Sequence, residues 1–169
     1  MVYPMKTTES MRIDLANRIF FKLYQCANMM HKTGTRAVQD EGITTQQWAV
    51  LGALSRPGAS EGISMGELAR YLMVSRQNLS GLVTRMEREG HVAVIPDQRD
   101  RRSRLVVMTD SGRHVWVDKA QPKIKAYYQQ AMVDFSTTDM THTLHYLVKL
   151  LNTMGQLDQQ QADEPITDE

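Results

Sequence analysis

One cysteine, Cys26, stands among 169 residues, so the chain has no intrachain disulfide to rely on. A reduced thiol in a cytoplasmic protein is the reading that fits. Aromatic residues are scarce at 7 % and prolines number 5. No stretch approaches the ~18 uninterrupted apolar residues of a membrane-spanning helix. The N-terminus, Met1-Val2-Tyr3-Pro4-Met5-Lys6-Thr7, lacks the apolar centre of a signal peptide. Also missing are the P-loop, G-x-G-x-x-G, H-E-x-x-H and G-x-S-x-G patterns, and with them the common routes to enzymatic chemistry. No enzyme and no cofactor is expected. No metal is expected either: His142 with His145, and His114 with Asp118, sit at helical spacing, but a structural metal needs about four ligands. Only Asp139 lies near the first pair.

What is present is enough apolar residue, 41 %, for a core, and an uneven charge distribution behind a net charge of +1. From Arg56 to Arg104 every basic residue is an arginine: 56, 70, 76, 85, 88, 99, 101, 102 and 104. From Gln156 onward the charges are all acidic: Asp158, Asp163, Glu164, Asp168 and Glu169. Arginine's planar fork bonds phosphate and guanine bidentately, so a basic middle of this kind points to nucleic acid. The 12 methionines are read as adaptable filler for helical cores.

The pattern is mainly helical with one hairpin. Leu15, Ile19, Leu23, Cys26, Ala27 and Met30 recur at helical spacing, predicting a helix from Ser10 to about Lys32 that Gly34 interrupts. Cys26 falls on that apolar stripe, where a cysteine is usually inert packing. Thr44 and Gln47 have the form of a capping box opening a second helix, which Arg56-Pro57-Gly58 ends. Ser64 and Glu67 open a short third helix carrying Leu68, Ala69 and Leu72. Ser75 opens a fourth, to about Glu89, with Leu79, Leu82, Val83 and Met86 inward and Gly90 as its left-handed stop. Two β-branched runs, His91–Ile95 and Arg104–Met108, read as strands around an arginine-dense loop. Thr109 opens a long helix to about Phe135 with a kink at Pro122. Ser136 opens the last helix, where Met140, Leu144, Leu147, Leu151 and Met154 form a seam for another helix. The tail from Gln156 is expected to fray.

Helix, tight turn, helix and charged hairpin is the order of a winged helix-turn-helix. The outward face of the fourth helix carries Ser75, Arg76, Gln77, Asn78, Ser80, Gly81, Thr84 and Arg85. Arg suits guanine, and Asn or Gln suits adenine, in the major groove. In the hairpin, Arg99, Arg101 and Arg102 suit phosphates or a narrow minor groove, with Asp97 and Asp100 bracing them. A winged helix used for protein contact is the rival reading, and the Arg/Gln/Asn face argues against it.

Ser75-Arg76-Gln77-Asn78-Leu79-Ser80, Leu82 to Gly90, and Asp97-Gln98-Arg99-Asp100-Arg101-Arg102 followed by Val107-Met108-Thr109 and Gly112 resemble the MarR family of bacterial regulators. His91 departs from the aliphatic residue common after the glycine. The resemblance spans nearly the whole chain. It implies a mainly α winged helix-turn-helix with a helical dimerisation body: residues 10–43 and 110–157 for dimerisation, 44–109 for DNA, and 158–169 as a flexible acidic tail. It implies a homodimer on a pseudo-palindromic duplex operator, recognition helices about 34 Å apart, with repression as the usual mode and a small effector that releases it. Aromatic acids and phenols are the common effectors. Candidate contacts are Arg18, Phe21, Lys22, His31 and Trp48, with Phe20, Tyr24, Met30 and Arg36 nearby. Aromatic acyl-CoA binding and oxidation of Cys26 are the alternatives.

Overall fold

The computed structural model describes residues 7–100 and 102–163, with side chains through residue 160. It divides into two units, with the boundary between Tyr128 and Gln129.

Helix α1 runs Thr8–Val38, opened by Thr7, whose hydroxyl accepts from the Ser10 amide at 3.2 Å. It passes straight through Gly34, which sequence punctuation had as a break. The glycine is there for space: a methyl group at 34 would come within 2.7 Å of Thr45 Cγ2 and 3.2 Å of Trp48 Cζ3. Only the end of α1 is packed in this way. Between Thr8 and Lys32 every side chain is exposed except the half-buried Leu23. Cys26, expected in packing, is therefore exposed, because the apolar stripe it shares has nothing over it within its own unit.

A 3₁₀ turn, Gln39–Glu41, and the left-handed Gly42 lead to α2, Thr45–Leu54. Both bonds of the expected capping box are made: Gln47 N–H to Thr44 Oγ1 at 3.3 Å and Thr44 N–H to Gln47 Oε1 at 2.8 Å. Strand β1, Ile63–Ser64, follows; then α3, Met65–Leu72, and α4, Arg76–Arg88. The turn between α3 and α4 places Met73 at φ 54°, the only non-glycine positive φ among the described residues. Its amide bonds the Arg70 carbonyl at 3.2 Å, and the Val74 amide bonds Ala69 at 3.1 Å, the paired closure of a Schellman motif. Helix α4 ends the same way with Gly90 at φ 79°: Gly90 N–H to Glu87 O at 3.0 Å and His91 N–H to Met86 O at 2.9 Å.

Strands β2, Val92–Pro96, and β3, Arg104–Met108, complete an antiparallel sheet in the order β1-β3-β2. Val106 of β3 faces Val94 on one side and Ile63 on the other. The hairpin was legible in sequence, shifted by one residue at β2; β1, only two residues long, was not.

Thr109 caps α5, Asp110–His114, accepting from Gly112 N–H at 2.9 Å. The predicted long helix then changes register. Val115–Ala120 is π-helical, closed by Gln121 N–H to Trp116 O, before α6, Gln121–Ala131. The irregularity thus precedes Pro122 rather than sitting at it, and the helix stops short of Phe135. Gly112, Trp116, Ala120 and Ile124, four apart, are all buried. A four-residue step in an α-helix overshoots one turn by about 40°, and the wider π turn offsets that drift. The row meets a core made by Val38, Val50, Leu51, Leu68, Leu79, Val83, Met86, Val92 and Val106.

In the second unit, Ser136 opens α7, Thr137–Asp163. Asp139 N–H donates to Ser136 Oγ at 3.1 Å, and the Asp139 carboxylate accepts from Ser136 N–H at 3.0 Å. The helix continues past Gln156, where fraying was expected. Met140, Leu144, Leu147, Leu151 and Met154 are all exposed along it.

Candidate nucleic-acid interface

Helix α4 is amphipathic in the sense a groove reader needs. Leu79, Val83 and Met86 are buried, and Leu82 is half-buried. Ser75, Arg76, Gln77, Asn78, Ser80, Gly81, Thr84 and Arg85 are all exposed. Ser75 Oγ accepts from the Asn78 amide at 3.2 Å, so the cap orders the first turn and leaves the Asn78 side chain free of it. Gly81 has open space around it, allowing a duplex to approach the backbone.

The hairpin tip is shaped by its two aspartates. Asp97 Oδ1 accepts from Arg99 N–H at 2.8 Å, and Asp100 Oδ1 accepts from Arg102 N–H at 3.0 Å. Their expected bracing role thus acts through the backbone amides of these arginines. Ser103 N–H to Asp100 O at 2.8 Å and Asp97 N–H to Ser103 O at 3.1 Å close the loop. The Arg99 guanidinium turns away to Glu61 at 2.7 Å, with both side chains largely exposed. Glu61 lies in the loop before β1, where no sequence pattern marked it. Arg102 is exposed; Arg101 lies outside the described residues.

The five effector candidates separate into two groups. His31 and Trp48 come together near the start of α2: His31 Nδ1 lies 2.6 Å from Thr45 Oγ1, in the turn that carries Trp48. Arg18, Phe21 and Lys22 are exposed further along α1, about 14–20 Å from His31 at 1.5 Å per residue. Lys22 Nζ bonds Gln25 Oε1 at 3.0 Å. Trp48 instead meets two tyrosines not anticipated from sequence, Tyr127 edge-on at 6.1 Å and Tyr128 at 5.7 Å between ring centres. Tyr127 OH lies 3.0 Å from Thr33 Oγ1. Partial burial raises the Tyr128 phenol above its ordinary pKa. Alongside, a hollow of about 590 Å³ is lined by Trp116, Val117, Gln121, Pro122, Ile124, Lys125 and Tyr128.

Other candidates are placed simply. His114 Nδ1 bonds Asp118 Oδ2 at 2.7 Å, and His142 and His145 flank Tyr146. Among the described residues no three His, Cys, Asp or Glu side chains are grouped to share a metal. No described helix is long and apolar enough to cross a membrane.

A helix with its polar face outward, set by a short turn after its partner and flanked by an arginine-bearing hairpin, defines a winged helix-turn-helix DNA-binding module. The model of the MarR family matches residues 41–103. The chain is 70 % identical over 153 residues to the transcriptional activatory protein BadR of Rhodopseudomonas palustris, covering 90 % of this chain and 87 % of that one. It is 28 % identical over 114 residues to the homoprotocatechuate degradative operon repressor of Escherichia coli, covering 68 % and 74 %. The fold is that of the Staphylococcus aureus MepR–DNA complex, with TM-score 0.70 at 18 % identity over 79 % of this chain and 96 % of that one. The chain belongs to the MarR family: it is a DNA-binding transcriptional regulator, not an enzyme.

Proposed function

We propose that the protein acts as a homodimer on a pseudo-palindromic operator and that a small aromatic acid shifts its affinity for that site. The observation that carries this reading is the exposed polar face of α4 beside the arginine hairpin. In this reading Gln77, Asn78, Ser80, Thr84 and Arg85 read base edges. Arg102 and Arg101 meet the backbone or minor groove, with Ser75 and Arg76 at the helix start. Arg99, already paired with Glu61, holds the hairpin and contributes less charge to DNA. Residues 44–109 form the DNA module. Residues 10–43 and 110–157 form the dimer body, because the apolar residues exposed on α1 and, separately, on α7 need a partner surface.

The effector reading centres on Trp48, with His31 from the sequence reading and Tyr127, Tyr128 and Lys125 added. Stacked and edge-on rings suit an aromatic ligand, and Lys125 or His31 suits its carboxylate. That one relative is named for a homoprotocatechuate degradative operon supports an aromatic class. On the sign of regulation, the 70 % identical relative is named an activatory protein. This favours activation over the repression expected from the family's usual mode. The ligand acts only through its preference between two conformations of the DNA module.

A gel-shift titration on the chain's own upstream intergenic DNA tests this, with and without aromatic acids and their CoA thioesters. A discrete shift altered by one compound supports the whole reading. A shift that no compound alters removes the effector assignment, and no shift at low salt removes operator binding there.

A further inference from the structure

A cleft of about 460 Å³ lies where the start of α3, the start of α4 and the root of the hairpin meet. Its lining is Ser64, Met65, Gly66, Arg70, Arg76, Asp100, Arg102, Ser103 and Arg104. Four arginines from three segments, α3, α4 and the hairpin, thus line one opening. Among the described residues none of the four is in a salt bridge. The Asp100 carboxylate on the same wall accepts from the Arg102 amide.

Arg76 is the informative member. By sequence it belongs to the base-reading face, as the first residue of α4. In the structure its guanidinium lies back over Gly66. A methyl group at 66 would sit 2.9 Å from Arg76 Nη2, 3.5 Å from Cζ and 3.7 Å from Nε. The side chain therefore lies against Gly66 on the cleft wall, in a lining that also includes Arg70 of α3 and Arg102 and Arg104 of the hairpin.

Clustered arginines free of salt bridges next to the exposed polar face of α4 complement one ligand chemistry, the phosphodiester backbone of duplex DNA. The position suits it: in a helix-turn-helix the helix before the recognition helix crosses the DNA backbone, and Arg70 lies on that helix while Arg76 folds back towards it over Gly66. We infer that this cleft is a backbone clamp, in which Arg76, held over Gly66, joins Arg70, Arg102 and Arg104 in gripping consecutive phosphates and reads no base. The clamp rests on the DNA-binding reading above and adds Arg70, Arg104 and Gly66 to it, while moving Arg76 from specificity to affinity. Gly66 becomes the residue that makes room for the grip.

The test uses a fluorescein-labelled 24-base-pair duplex of random sequence, because sequence-independent binding is almost wholly phosphate contact. Affinity is followed from low to physiological salt for the full chain and for Arg70→Gln, Arg76→Gln, Arg104→Gln and Gly66→Ala, with Lys149→Gln on α7, absent from the cleft lining, as the control. Each cleft arginine variant should lower the slope of log K against log salt by about 0.9 per bound module, about 1.8 for the dimer, and leave folding intact. Gly66→Ala should do the same through displaced Arg76, since the atoms it crowds are the far end of a flexible side chain. Combining it with Arg76→Gln should add little more. The control should match wild type. A slope unchanged by Arg76→Gln, or full additivity of Gly66→Ala with it, overturns the clamp. A wild type that binds no duplex overturns the DNA reading and the clamp together, whereas a normal wild-type slope with insensitive variants sinks the clamp alone.

Discussion

The buried amide of Gln47, in the first turn of α2, donates from Nε2 to the carboxylate of Glu89 at the end of the recognition helix. Its Oε1 is meanwhile held by the Thr44 amide. Gln47 is 2 % exposed and Glu89 lies at the surface, so this is a part-buried tie between the turn that carries Trp48 and the proposed recognition helix. It directly links the helix that bears the proposed effector wall to the proposed recognition helix. Glu89→Ala should leave a buried N–H unpaired, costing about 1–3 kcal/mol in denaturant unfolding. It should also reduce the effect of ligand on DNA affinity. If the variant unfolds like wild type and its effector response is intact, the tie transmits nothing.

The ring cluster makes a separate claim. Trp48→Ala removes both ring contacts to Tyr127 and Tyr128, each pair being worth about 0.5–1.5 kcal/mol beyond area. Aromatic-acid affinity should fall about tenfold or more, read by isothermal titration, while DNA binding without ligand stays near wild type. Equal losses in both would mean that Trp48 is framework alone.

Met73 holds a left-handed conformation that costs an L-residue about 1–2 kcal/mol. It is exposed, so little packing is lost on replacement. Met73→Gly should raise stability by roughly 1 kcal/mol after the loss of unfolded-state restriction is counted. Thermal unfolding would register this as a higher midpoint, and a lower midpoint would show that the methionine side chain matters more than its backbone.

Acid should weaken the caps in a defined direction. Hydrogen bonds from the Ser64 hydroxyl and amide hold the Glu67 carboxyl below its usual range, and those from Ser136 do the same for Asp139. A lowered folded pKa means stability that is complete above the ordinary carboxylate range and lost as pH falls through the lowered value. Ser64→Ala should therefore cost about 1 kcal/mol near neutrality and less in acid. Urea unfolding at pH 7 and at pH 3 checks it, and an equal cost at both would separate the cap from the charge.

Much of this was legible in the sequence because its signals are local. The Thr44–Gln47, Ser64–Glu67 and Ser136–Asp139 boxes are each made as three-residue spacing implies. Gly90 stops α4, and the outward face of that helix is the polar one. Signals carried by distant partners were not legible. Gly34 looks like a break until Trp48 and Thr45 are seen against it, and Glu61 has no pattern to announce its bond to Arg99. Tyr127 and Tyr128 reach Trp48 only through the fold. Cys26 followed the apolar stripe correctly, but a stripe says which residues share a face and not what covers it.

The π turn at Val115–Ala120 acts as a phase setter. It lets a single helix keep Gly112, Trp116, Ala120 and Ile124 in one row before delivering Tyr127 and Tyr128 to Trp48. Helices count residues, and this one has absorbed a count that an ordinary helix would not. Removing one residue between Val117 and Lys119 would restore regular geometry and leave Tyr127 and Tyr128 facing Trp48, whereas removing one from the regular helix after Gln121 would rotate everything downstream by about 100°. The aromatic wall would then point elsewhere with α4 and the hairpin untouched. Spacing in this segment, more than the identity of its side chains, sets where the aromatic wall points.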